Sequence, residues 1–101
     1  MYEECVDFFT SALNVRDDLV DAYGKICIAL RILRNYKSAE NYYLKGAKYL
    51  RYDCGFYFNI SRLYCEWGKF VKAKQAILVA LKLSPDFTEG QAMLRYLDSR
   101  C

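Results

Sequence analysis

Five cysteines, Cys5, Cys27, Cys54, Cys65 and Cys101, are the side chains of this sequence best suited to chemistry, and their spacing limits what they can do. An odd number cannot all pair, none forms C-x-x-C, and the chain has no histidine, so zinc-ligand spacing is missing. Thiols in this pattern act as small hydrophobes, which implies a reducing compartment and makes a cytoplasmic location the expectation. Cys65 lies one helical turn after Arg62, a cation that could activate a thiol. The carboxylate pairs Glu3-Glu4 and Asp17-Asp18 read as exposed charges at a helix start and a turn. There is no Gly-rich phosphate loop. These absences point away from an enzyme, and no cofactor or metal is expected.

The elements around these residues are helical. Phe56, Tyr57, Ile60, Leu63, Tyr64 and Trp67 recur at three- and four-residue steps, which predicts a helix over 54–67. Gly68 supplies the left-handed stop. The period resumes over 70–83 with Ala73, Ile77, Ala80 and Leu81, and Ser84-Pro85 closes it. Helices joined by so short a turn lie antiparallel. Ser61, Ala73 and Ala80 fall where the two axes come closest, and Tyr57, Tyr64 and Ile77 fill the space beside them. The same spacing occurs 34 residues earlier, where helices over 19–33 and 36–50 pair Tyr23, Ile26, Cys27 and Leu30 with Tyr36, Ala39, Tyr43 and Gly46.

A further helix is expected over 2–15 and a terminal one over 87–99. Asp18 is the expected N-cap of the second helix, and Asp86 with Glu89 are spaced as a capping box for the last. The expected architecture is all-α: one domain over 1–101, comprising a half repeat (1–19), two repeats (20–53 and 54–87) and a capping helix (88–101). Hydrophobic content suffices for a core, and no apolar run is long enough to span a membrane. The start is acidic, with no secretory signal visible.

The residues at 54–87 resemble the tetratricopeptide repeat: Tyr57, Ser61, Tyr64, Gly68, Phe70, Ala73, Ile77, Ala80 and Pro85 fall at its offsets within 34 residues. The copy at 20–53 is looser, with Leu30 in the Tyr position, Arg34 in the turn-Gly position and Arg51 in the closing-Pro position. Pentatricopeptide repeats, with a period of 35 and no Ala-Pro ending, fit less well. The resemblance implies antiparallel hairpins stacked as an α-solenoid whose first helices line an inner groove. In this register the groove holds Ile28, Arg31 and Ile32, then Phe58, Arg62 and Glu66, with Tyr96 and Arg100 from the capping helix. Phe58 and Ile32 also fit packing between neighbouring first helices. The groove suits a protein or peptide segment with apolar anchors and an acidic group, because Arg grips carboxylate bidentately.

Repeats that clamp chaperone C-terminal carboxylates carry Lys and Asn where this chain has Gly24 and Ile28. Glu89 and Met93 stand where Lys and Arg should follow, so that clamp is absent. In repeat register Cys5, Phe9 and Ala12 align with Ala39, Tyr43 and Gly46, making 2–15 a second helix whose first helix is missing. Either the chain comes from a longer array or something else covers this face.

The leading functional expectation is a non-catalytic interaction scaffold. The alternative is self-assembly through the uncovered first helix, aided by an acidic start (Glu3, Glu4, Asp7, Asp17, Asp18 and Asp21 against Arg16) and a basic remainder. Polyanion binding by the lysines of the second helices, with Tyr42, Tyr49 and Tyr52, ranks lower. No RNP-like or basic-helix motif accompanies that charge, so neither nucleic acid nor membrane is an expected partner.

Overall fold

A computed structural model describes residues 1–100 and contains six helices: α1 (Tyr2–Val15), α2 (Val20–Ile32), α3 (Tyr36–Leu50), α4 (Cys54–Glu66), α5 (Phe70–Leu83) and α6 (Thr88–Asp98). No strand occurs among the described residues. Two compact units divide the chain, Met1–Arg51 with α1 to α3 and Tyr52 onward with α4 to α6.

In the first unit α2 packs against both α1 and α3. Its buried stripe is Ala22, Tyr23, Ile26, Cys27, Ala29 and Leu30, a helical spacing that turns one side of α2 inward. Ala39, at 0% exposure, and Gly46 receive that stripe on α3. The approach at Gly46 is close: a Cβ there would lie 2.7 Å from Tyr23 Cβ, so only glycine fits without movement. Tyr23 also stacks on Tyr49 at 5.7 Å and donates its hydroxyl hydrogen to the Asp17 carbonyl at 2.6 Å.

In the second unit α4 packs against α5, and α5 against α6. Ile60, Ser61, Ala73, Ile77 and Ala80 are completely buried, and Leu97 of α6 joins them at 0% exposure. Gly90 lets α6 approach closely, since a Cβ there would sit 2.8 Å from the Phe87 ring and 3.1 Å from Leu81. Lys74 and Asp98 tie α5 to the end of α6 at 2.9 Å.

The 34-residue offset is visible bond by bond. Cys27 Sγ donates to the Ala39 carbonyl at 3.5 Å, and Ser61 Oγ donates to the Ala73 carbonyl at 2.9 Å. Both turns place a left-handed residue at the equivalent position, Arg34 at φ 61° and Gly68 at φ 80°. Asn35 N bonds Leu30 O at 2.8 Å, and Lys69 N bonds Tyr64 O at 2.8 Å, closing the two helix ends identically. The N-caps of α2, α4 and α6 are Leu19, Asp53 and Phe87, each 34 residues apart.

Two capping expectations are corrected. Asp18 lies one residue outside the α2 cap, and its two oxygens accept from Arg16 Nε and a terminal guanidinium nitrogen at 3.2 Å each. Asp86 likewise precedes the α6 cap, Phe87, which has no side-chain cap bond, so no capping box forms with Glu89. Gln91 instead donates to the Pro85 carbonyl at 2.7 Å. Of the caps of α2, α4 and α6, only Asp53 acts by side chain, accepting from Phe56 N at 3.1 Å.

Candidate interaction surfaces

The clearest candidate is the side of α1. Cys5, Phe9 and Ala12 occupy the register of Ala39, Tyr43 and Gly46, and of Ala73, Ile77 and Ala80. The last three have 0% exposure, yet α1 contains no buried residue and its three equivalents are only half-buried. On α3, Ala39 and Gly46 are buried and Tyr43 is half-buried; among the described residues no helix covers α1 as α4 covers α5. An apolar hollow of about 530 Å³ marks the place, walled by Phe8, Phe9 and Ala12 and by Leu19, Val20 and Ala22, with Asp18 and Asp21 at its edge. Phe8 is 68% exposed and meets Phe9 edge to face at 5.1 Å.

Asp18 and Asp21 place negative charge beside this hollow. Six carboxylates lie within residues 1–21 against Arg16 alone. Arg16, by hydrogen bond and then by charge, holds the Asp18 carboxyl below its ordinary pKa, so it stays ionised.

The groove residues read from the repeat register are distributed unevenly. On α2, Ile28 is half-buried, Arg31 is buried and Ile32 is 40% exposed. On α4, Arg62 and Glu66 are exposed, whereas Phe58 is half-buried and lies edge to face on Phe87 at 5.2 Å. Phe58 therefore has a packing partner inside its own unit. Just past the end of α6, Arg100 lays its guanidinium over the ring of Tyr96 on that helix at 4.3 Å, which pre-orients the cation. Arg100 also reaches the neighbourhood of Cys65. Burial and the Glu66 carboxylate raise that thiol's pKa while Arg100 lowers it, and the net direction is upward. Cys65 is thus a poorer nucleophile than a free thiol, despite Arg62 on the same helix. Burial pushes Cys27 further, to about 12. Cys5, Cys27, Cys54 and Cys65 are all unpaired, and no metal-ligating cluster occurs among the described residues.

Sequence reasoning missed the Tyr64–Trp67 stack, 6.2 Å between rings, over which Lys72 and Lys69 place their ammonium groups at 5.6 and 4.1 Å. The signal was present as aromatic residues one turn apart followed closely by lysines.

This arrangement of repeated hairpins defines an all-α helical repeat of the tetratricopeptide-like kind. Two solved structures are similar to it: MamA 41-end from Desulfovibrio magneticus RS-1, and the MamA RS-1 ArsTM double mutant. Each superposes with a TM-score of 0.89 at 20% sequence identity, over 98% of this chain and 56% of the other. The chain spans just over half the length of the structures it matches, and the likeness is one of fold. No family model matches the sequence, and no curated protein does.

Proposed function

We propose that this chain is a protein-interaction module that works without catalysis, and that its α1–α2 face receives an amphipathic helix from a partner. The observation that carries this reading is the exposure of Cys5, Phe9 and Ala12 in a register that is closed at Ala73, Ile77 and Ala80. The occupant lies as α4 lies on α5, with apolar residues toward Phe9 and a small residue opposite Cys5. Basic flanks would face Asp18 and Asp21. Within the second unit, exposed Tyr96, Arg62 and Arg100 offer a second place for a partner segment, an apolar contact beside cations that grip a carboxylate. Four unpaired thiols suit a reducing compartment such as the cytoplasm.

A peptide of residues 54–67 with Cys54→Ser and Cys65→Ser tests the face directly. α4 tolerates Ala80 in its partner helix, and α1 presents Ala12 in the same register. Binding at about micromolar affinity, near −8 kcal/mol, is expected, strengthened by a lysine tail and lost in Phe9→Asp. Undiminished binding to the Phe9→Asp protein would remove the face from the account.

Self-assembly is the second reading, favoured by the acidic residues 1–21 beside a basic remainder. A sedimentation coefficient that rises with concentration and falls back with Phe9→Asp supports it. A constant value over the accessible range excludes it.

A further inference from the structure

Within the first unit a cleft of about 370 Å³ opens between α1 and α3, away from the hollow at Phe9. Its apolar wall is Leu13 of α1 with Tyr42 and Leu44 of α3, and Leu44 is 62% exposed. Lys45 and Lys48, one turn apart, reach into it from α3, and Asp17 lies at its rim. Each lysine has a fixed place. Lys45 holds its ammonium 5.1 Å from the Tyr42 ring centre, and Lys48 holds its own 4.9 Å from that of Tyr49. Tyr49 is in turn anchored by stacking on buried Tyr23.

No ion pair engages Lys45 or Lys48 among the described residues, in contrast to Lys37 with Glu40 and Lys74 with Asp98. A ring face weakly neutralises a cation and keeps its remaining donors directed outward. The cleft therefore offers two pre-oriented ammonium groups beside an exposed apolar wall. That combination fits a carboxylate next to a hydrophobic side chain.

We propose that this cleft is a docking site for an acidic segment of a partner protein, with one apolar side chain against Leu13 and Leu44 and flanking carboxylates on Lys45 and Lys48. A nucleic-acid backbone fits less well for an electrostatic reason. Glu3, Asp7, Thr10 and Asn14 recur at helical spacing on α1, so a phosphate chain running along the cleft passes the carboxylates of Glu3 and Asp7 as well as Asp17. A short segment that brings charge only to the lysines avoids that repulsion. The site is separate from the helix-binding face proposed above and stands or falls independently of it.

The test uses the whole chain and a labelled twelve-residue peptide of Gly and Ser with a central Glu-Phe-Glu. Fluorescence anisotropy is read beside a Gln-Phe-Gln version, a Glu-Ala-Glu version and a single-stranded oligonucleotide. Binding of Glu-Phe-Glu is expected to weaken about tenfold or more in Lys45→Glu and in Lys48→Glu, the loss typical of a close charge pair. Leu44→Asp should weaken it similarly, while Phe9→Asp and Lys82→Glu leave it unchanged. Thermal melts of each variant separate lost binding from lost folding, because all these positions are exposed or half-buried. Equal binding of the Gln-Phe-Gln or Glu-Ala-Glu peptide overturns the proposal. So does displacement of the peptide by the oligonucleotide at equal charge, or indifference to both lysine reversals.

Discussion

The α2–α3 and α4–α5 hairpins solve one packing problem with different residues. At the crossing, Cys27 and Ser61 donate to equivalent carbonyls at 3.5 and 2.9 Å. Three turns further along α3 and α5 from Asn35 and Lys69, one hairpin uses Gly46 and the other Ala80. At the turns one uses Arg34 and the other Gly68. What is kept is backbone geometry and the placement of bulk. The α1 helix extends the comparison, since it carries the same register and, among the described residues, no helix lies over that side of it. Burial, and not residue type, separates Phe9 from Ile77.

The largest expected effect tests that last contrast. Ile77→Ser removes a completely buried side chain and should cost roughly 3–5 kcal/mol by chemical denaturation. Phe9→Ser, in the same register, should cost under about 1 kcal/mol, as a partly exposed residue does. Next is the close approach at Gly46. Gly46→Ala drives a Cβ onto Tyr23 and should destabilise by about 1–3 kcal/mol, although Ala80 holds that register natively in the other hairpin. Ala80→Gly should cost about 1 kcal/mol through helix propensity and lost packing.

The turns give a smaller effect of opposite sign. Arg34 pays for left-handed backbone that Gly68 adopts freely, so Arg34→Gly should stabilise by about 1 kcal/mol and Gly68→Ala should destabilise by a similar amount. The last contrast is in pH, and it is confined to alkaline conditions. The Cys27 thiol titrates at about 12 in the fold against 9.0 ordinarily, so above pH 9 the unfolded chain loses its proton first. That thiol's contribution is complete below pH 9 and declines as pH rises toward 12. Subtracting a Cys27→Ala series from the parent series isolates it. Equal slopes for the two proteins would mean that Cys27 is not sealed from water.

Much of this was readable beforehand, because the repeat period is carried by bulky and small residues whose positions are hard to exchange. The boundaries of α1, α3 and α5 follow from that pattern, and the three N-caps keep its spacing. The cap chemistry was less legible. Asp18 and Asp86 are good capping residues that fall one position early, and an offset of one residue is smaller than periodicity resolves. The surroundings of the residues expected in the groove were also only partly legible. A repeat register assigns each residue a face, but it cannot tell that Phe87 would come to Phe58 or that Arg31 would be buried. The cleft at Lys45 and Lys48 depends on α1 and α3 together, so neither helix announces it alone.

The most direct measurement of the central claim is the rate of alkylation at Cys5 compared with Cys27 in the native chain. Cys5 is half-buried on the open side of α1, and Cys27 is 5% exposed inside the closed α2–α3 hairpin. Fast labelling of Cys5 and negligible labelling of Cys27 are predicted, with Cys5 alone protected when the 54–67 peptide is added. Labelling of Cys5 as slow as that of Cys27 in the unliganded chain would show that the α1 face is already covered, and would contradict the account.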